Sequence, residues 1–271
     1  MDYLPLVNMK QNPELQEPTI EQIADLLTDI ASSLMSSGSH TKRIIRNVSR
    51  IADVLGYDTD ITLLQMSVML TITNAEDRTK RLTINKKLNP LLLNFTTVSD
   101  LSALSWRTHD DKLPFDVIQS EYKRIVSQKR ISPWLVMFLV GCANAAFCGL
   151  FKGDVPSAGL VFVATIVGFF LRQEMNKRHV NHLVSFTASA FVASLVAGMT
   201  YVFHIGTTPQ IALAASVLYL IPGVPLINSV LDLIEGHILI GISRLVNAAS
   251  LIVCIAIGLF MSMLILGLEK L

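Results

Sequence analysis

Residues 132–271 carry only six Lys or Arg and five Asp or Glu, whereas residues 1–131 carry sixteen of each. A stretch that long with so few charges cannot clothe itself in a polar surface, so water is not its main solvent. It divides into five apolar segments near the ~20 residues a helix needs to cross a bilayer. They are Pro133–Phe151, Val155–Leu171, Leu183–Phe203, Ile211–Leu233 and Leu245–Leu268. The charge-balanced first part reads as a tail, residues 1–18, and a water-soluble domain, residues 19–131; the membrane part is residues 132–271. The expected fold is a membrane protein: a five-helix transmembrane bundle with a broken fourth helix, preceded by a small cytoplasmic α+β domain.

Lys and Arg in short loops set orientation. Lys123, Arg124, Lys129 and Arg130 precede the first segment; Arg172, Lys177 and Arg178 follow the second; Arg244 falls in the loop after the fourth. The other side holds Lys152 and terminal Lys270. This bias predicts an inner-membrane protein with a cytoplasmic N-terminus and an external C-terminus. The first residues lack an apolar core, so no signal peptide is expected.

The fourth segment contains Tyr219–His237, YLIPGVPLINSVLDLIEGH. Pro222 and Pro225 each remove a backbone donor and clash with the preceding turn, and Gly223 between them lets the chain bend. At ~1.5 Å per residue from Ile211, the break lies ~17 Å into the segment, near the bilayer midplane. Backbone polar groups freed there need protein, water or ligand. A new helix is expected to start at Pro225. Its free amides around Leu226 to Asn228 would attract a carboxylate. Pro222, Gly223, Pro225 and Asn228 are therefore the candidate substrate site. Asp232 shares a face with Asn228 and is the candidate coupling or gating group, with Glu235 and His237 behind it. A plain proline kink with these groups in interfacial water is the bland alternative.

Asn144, near the middle of the first segment, must face protein or a cavity; helix–helix hydrogen bonding and substrate contact both fit. Arg172 reads as a snorkelling anchor or as the countercharge of an anionic substrate. Small residues recur at helical spacing: Gly141, Ala145 and Gly149; Ser185, Ser189, Ala193 and Ala197; Cys254, Gly258 and Ser262. Such stripes let backbones approach closely, within the bundle or against a second subunit.

Cys142, Cys148 and Cys254 lie in apolar runs with no paired spacing, so three buried, reduced thiols are expected and neither a disulfide nor a metal site. In the soluble half, Thr19–Ser37 is amphipathic with Thr19 as cap and Gly38 as terminator. A second helix spans His40–Leu55 and ends at Gly56. Paired strands fit Asp60–Thr73, another fits Thr79–Ile84, and Thr97–Ser105 and Phe115–Gln128 read as helices. His109, Asp110 and Asp111 fall in a polar loop with no catalytic pattern. RTKRLTINKK reads as a solvated strand edge, and the net charge of +1 gives no reason for nucleic acid. No phosphate-binding, serine-hydrolase or zinc-peptidase motif occurs, so an enzyme is the least favoured class and no cofactor is implied.

Three stretches, SSGSHTKRIIRNVSRIADVLGY, PWLVMFLVGCANAAFCGLFKGD and PGVPLINSVLDLIEGHILIGISR, together resemble the ThrE threonine/serine exporter family, in its split, YjjP-like form. The likeness runs from about residue 20 to 265. Gly38, Thr41 and Arg43 match the family's glycine–threonine–arginine pattern, while Ile45 stands where an acidic residue is expected. The resemblance implies a secondary exporter subunit for small carboxylates, of succinate or threonine/serine type, with a separate YjjB-like membrane partner in a higher oligomer. A passive channel of the same architecture and a membrane-anchored scaffold or signalling protein are the rival readings.

Overall fold

Thr19 opens the first helix as expected. Its hydroxyl accepts from the Gln22 amide at 3.4 Å, and the Gln22 side chain accepts from the Thr19 amide at 2.9 Å. This reciprocal pair satisfies two of the donors that every helix start leaves open. The computed structural model describes residues 18–88, 91–129 and 131–268. Residues 1–17, Arg130 and Lys270, which carried the tail and part of the charge bias, lie outside the described residues. The chain divides between Ser127 and Gln128 into two units.

The first unit holds α1 (Ile20–Ser36), α2 (Thr41–Val54), β1 (Tyr57–Leu64), β2 (Ser67–Asn74), β3 (Arg81–Lys87), α3 (Phe95–Asp111) and α4 (Phe115–Val126). The strands form an antiparallel meander in the order β1-β2-β3, with Leu64 opposite Ser67 across the first turn. α1 lies on β2 and β3 and buries Ile23, Leu27, Ile30 and Leu34 against Val68, Leu70 and Ile72. The apolar spacing at i, i+3, i+4 and i+7 is what gives α1 this single buried face.

α3 corrects the expected Thr97–Ser105: it begins two residues earlier, at Phe95, and runs six residues further, to Asp111. His109, Asp110 and Asp111 are thus in its last turn, not in a loop. The sequence there is polar because one face is solvated. The other keeps Leu101, Leu104, Ser105 and Thr108 buried, and packing of that face carries the helix through a locally polar run.

The second unit holds α5 (Pro133–Leu150), α6 (Val155–Lys177), α7 (His182–Val202), α8 (Pro209–Ala215), one 3₁₀ turn (Leu218–Leu220), α9 (Gly223–Ile234) and α10 (Ile238–Ile265). Four of these, α5, α6, α7 and α10, are long and apolar enough to cross a membrane, and the bent pair Pro209–Leu220 plus Gly223–Ile234 makes up to five. The unit is that of a multi-pass membrane protein.

Two segment limits are corrected. α6 continues past Leu171 to Lys177, with Glu174 in exposed ion pairs to Lys177 and Arg178. α10 starts at Ile238, not Leu245, so Arg244 is helical rather than a loop residue.

The small-residue stripes of α7 and α10 pack inside the unit, whereas Gly149 of the α5 stripe is exposed with nothing within 4 Å of an added Cβ. Ser185, Ser189, Ala193 and Ala197 are fully buried on α7. A Cβ on Gly258 of α10 would meet the Ala190 Cβ at 2.9 Å and the Phe191 amide nitrogen at 2.8 Å. Glycine is what lets these two backbones come so near. Ser194 and Ser262 then hydrogen-bond between α7 and α10 at 2.6 Å. The cysteines are free, but only Cys148 is buried; Cys254 is half-buried and Cys142 is exposed. Cys142 lies on the face of α5 that packs against neither α6 nor α8, where an apolar residue in a membrane helix meets lipid rather than core.

Candidate functional site

The fourth apolar segment is broken, over more residues than its prolines suggest. Its two parts are bent by 62°. The α pattern ends at Ala215, and a 3₁₀ turn covers Leu218–Leu220. Pro222 follows with φ −78° and ψ 60°, and the Gly223 amide donates back to the Ile221 carbonyl at 2.8 Å. That is an inverse γ-turn with proline at its centre. Pro222 is the N-cap of α9, so the new helix begins at Gly223 and not at Pro225.

This shift removes most of the expected amide cluster. The Leu226 amide donates to the Pro222 carbonyl at 3.1 Å. The amides of Ile227 and Asn228 lie inside the helix, where i→i−4 bonding takes them. Gly223 has no positive φ, and a Cβ there would meet nothing within 4 Å. Neither backbone strain nor packing demands glycine; the position borders open space.

Asn144 holds the break from α5. It is 2% exposed, and its amide donates to Thr165 Oγ1 at 2.7 Å and to the Ala215 carbonyl at 3.0 Å. Ala215 is the last residue of α8, so its carbonyl is one that the interrupted helix leaves without an amide. Of the two roles open to Asn144, helix-to-helix hydrogen bonding is the one its geometry displays.

α9 returns along α10. Gly236, at φ +85°, makes the turn: its amide donates to the Leu233 carbonyl at 3.2 Å and the His237 amide to that of Asp232 at 2.8 Å. These two bonds form a helix-ending motif that favours glycine for its left-handed residue. Glu235 and His237 are half-buried in this turn.

The same reversal brings Asp232, fully buried, against Arg244, 8% exposed. Arg244 Nη1 donates to Asp232 Oδ2 at 2.7 Å. Asn228, half-buried, is one turn before Asp232 on α9. Sequence reasoning placed Asp232 in the site but missed Arg244. The available signal was a charge twelve residues away across Gly236, too deep in an apolar stretch to be a loop residue.

Arg172, on α6, has different company. Its guanidinium carbon lies 4.8 Å from the Phe186 ring centroid and 5.6 Å from that of Phe169. The Phe169 and Tyr219 rings are 6.1 Å apart. Tyr219 belongs to the 3₁₀ turn of the break, and its hydroxyl packs against Gly168 of α6. The Tyr219 and Ser189 hydroxyls are buried without a hydrogen-bond partner among the described residues. Nor does any described carboxylate pair with Arg172. Tyr219 and Ser189 were missed because both read as ordinary packing residues.

At the far end of α6, Asp154 ties two connections together. Its carboxylate accepts from the Ser157 amide at 3.0 Å, from Thr208 Oγ1 at 3.0 Å, and from the Thr207 amide. These bonds, with Ser157 foremost, hold the carboxyl well below the usual carboxylate range.

Sequence comparison agrees with a membrane carrier. A family described as "Putative threonine/serine exporter", ThrE, matches residues 25–266. "Probable succinate transporter subunit YjjP" of Escherichia coli (strain K12) is 29% identical over 237 residues, covering 87% of this chain and 91% of that protein. The protein of the same name from Klebsiella aerogenes is 30% identical over 250 residues, covering 91% and 95%. "Probable threonine/serine exporter" of Mycobacterium tuberculosis is 22% identical over 245 residues, covering 89% of this chain but 46% of that protein. No solved structure matches. Since the family match runs through both units and across the broken helix, the chain belongs to the ThrE family of membrane exporters.

Proposed function

We propose that the chain is one subunit of a secondary exporter of small carboxylates, crossing the inner membrane five times with its N-terminus in the cytoplasm. The observation that carries this reading is Arg172. A cation half-buried among aromatic rings, with no carboxylate beside it among the described residues, borders an apolar helix that breaks its own hydrogen bonding. Holding a lone charge in such surroundings is costly, and an anionic substrate supplies the missing partner. The Tyr219 hydroxyl, carried on the break, is a donor of the right kind for the same carboxylate.

Pro222, Gly223 and Pro225 make the bend and the open space beside it, and Asn228 lies on the face of α9 that leads to Asp232. Asp232 is the coupling group. Protonating it dissolves its pair with Arg244 and loosens α9 from α10, with Glu235 and His237 at the hinge turn. Asn144 acts as the clip of the break.

The relatives' names supply the substrate classes, succinate or threonine and serine, all carboxylates. A second, YjjB-like membrane subunit and a higher oligomer complete the carrier. The word "subunit" in two relatives' names supports this, as does the 46% coverage of the longer mycobacterial relative.

The test is uptake of labelled succinate, threonine and serine into proteoliposomes holding both subunits. Accumulation is expected against a gradient and should collapse when the proton gradient is dissipated; a passive pore would equilibrate only. Arg172→Gln should cut flux at least tenfold, and undiminished flux in that variant would remove Arg172 from the substrate site.

A further inference from the structure

The first unit has a cavity of about 300 Å³ between α2 and α3 that the transport reading does not use. Arg43, Arg46 and Arg50 line one wall. At spacings of three and four they form a single stripe on α2. Phe95 and Trp106 of α3 form the opposite rim, 60% and 54% exposed. Large aromatic rings left in water beside an unneutralised basic wall are not what a soluble domain gains from folding alone.

The floor is built, not incidental. Asn47 is 4% exposed and donates to Ser102 Oγ at 2.9 Å, while its Oδ1 accepts from Ser105 Oγ at 3.0 Å. Arg50 Nη1 donates to Ser105 Oγ at 2.8 Å, and its guanidinium carbon stands 3.6 Å from the Trp106 ring centroid. Arg50 is thereby held in one orientation, with donors left over. Among the described residues, no Asp or Glu lines the cavity. The nearest candidate, Asp110, accepts from His109 Nδ1 at 3.0 Å and acts on Arg50 only from a distance. Burial and the neighbouring Arg46 both press the Arg50 guanidinium toward its neutral form. An anion in the cavity would offset the repulsion between the two guanidiniums.

We propose that this cavity binds a nucleotide, its phosphates on Arg43, Arg46 and Arg50 and its base over Phe95 and Trp106. Guanidinium forks match phosphate oxygens two at a time. Three of them suit a group with more than one negative charge. Base stacking on an aromatic ring contributes ~1–3 kcal/mol and covers surface that is otherwise wet. A small dicarboxylate would answer the charges but leave the rings exposed.

The test is equilibrium dialysis of labelled ADP against the full chain in neutral-lipid nanodiscs. Saturable binding of one ADP per chain is expected. Arg46→Glu should weaken it at least tenfold and Phe95→Ala about fivefold, while Arg81→Glu on β3, the same charge change elsewhere, leaves it unaltered. Unlabelled inorganic phosphate should compete weakly and succinate not at all. No saturable binding at millimolar ADP, an equal loss in Arg81→Glu, or equal competition by succinate would each overturn the proposal. So would binding of phosphatidylglycerol vesicles sensitive to Arg46→Glu in the absence of ADP binding, which would assign the arginines to lipid phosphate instead.

Discussion

Two of the three arginines in the apolar half, Arg172 and Arg244, lie within helices, and their surroundings are opposite. Arg244 meets the buried Asp232 at 2.7 Å across the α9–α10 turn. Arg172 meets the faces of Phe169 and Phe186 and no described carboxylate. A buried charge with a built-in partner is part of the scaffold, because removing either member strands the other. A charge without one does not support the fold and is open to a ligand. The difference separates groups that hold the break in shape from groups available to substrate.

Cutting the matched pair should have the largest effect. Asp232→Asn removes the carboxylate that Arg244 Nη1 meets and should cost about 3–5 kcal/mol in thermal or denaturant unfolding of the purified protein. Adding Arg244→Gln should recover part of that stability without restoring export. Arg172→Gln, by contrast, should move stability by less than about 1 kcal/mol while cutting flux at least tenfold. If Arg172→Gln unfolds the protein as readily as Asp232→Asn, the distinction between the two arginines is void.

Asn144 sharpens the same contrast with a neutral group. Asn144→Leu removes the bonds to Thr165 and Ala215 and should cost about 1–3 kcal/mol, the price of a buried carbonyl left without a donor. A melting curve equal to that of the parent would return Asn144 to the list of substrate contacts.

Asp154 is matched too, but at the edge of the membrane part, so its effect is smaller and depends on pH. Its carboxyl titrates lower in the folded protein than in the unfolded chain. The stability it contributes is therefore complete above about pH 4, the unfolded value, and fades as pH falls further. Asp154→Asn should melt below the parent at pH 7, and the gap should narrow in melts run below about pH 4. A gap independent of pH would mean that the charge is not what links Asp154 to Thr207 and Thr208.

The smallest effect belongs to Gly223. Nothing lies within 4 Å of the Cβ that an alanine would add, so Gly223→Ala should stay within about 0.5 kcal/mol of the parent. Reduced flux at unchanged stability would place that open space on the substrate path. Unchanged flux would take Gly223 out of the site.

Much of the fold was legible because it rests on local rules. Thr19 with Gln22 spells a helix start, Ile23, Leu27, Ile30 and Leu34 spell one buried face, and two prolines three apart forbid a continuous helix. Where reading failed, a non-local contact had overruled the local pattern. α3 runs on through His109–Asp111 because Thr108 is buried behind it, and the break opens at Ser216, six residues before Pro222. The substrate-binding amides assigned to Leu226–Asn228 vanished because α9 starts two residues early and spends them internally. In the site, Asp232, Asn144 and Arg172 stood out as polar groups in apolar surroundings. Arg244, Tyr219 and Ser189 did not, since their meaning lies in what faces them.

The sequence by itself determined that half of this chain belongs in a membrane and that one of its apolar segments is interrupted. Both follow from counts of charges and from proline's missing N–H, which no partner can alter. Only the tertiary structure decided which buried charge is matched and which is not. That choice depends on distances between helices, Gly236 turning α9 onto α10 and Gly168 admitting the Tyr219 hydroxyl, and electrostatic energy falls too steeply with separation for spacing along the chain to reveal it.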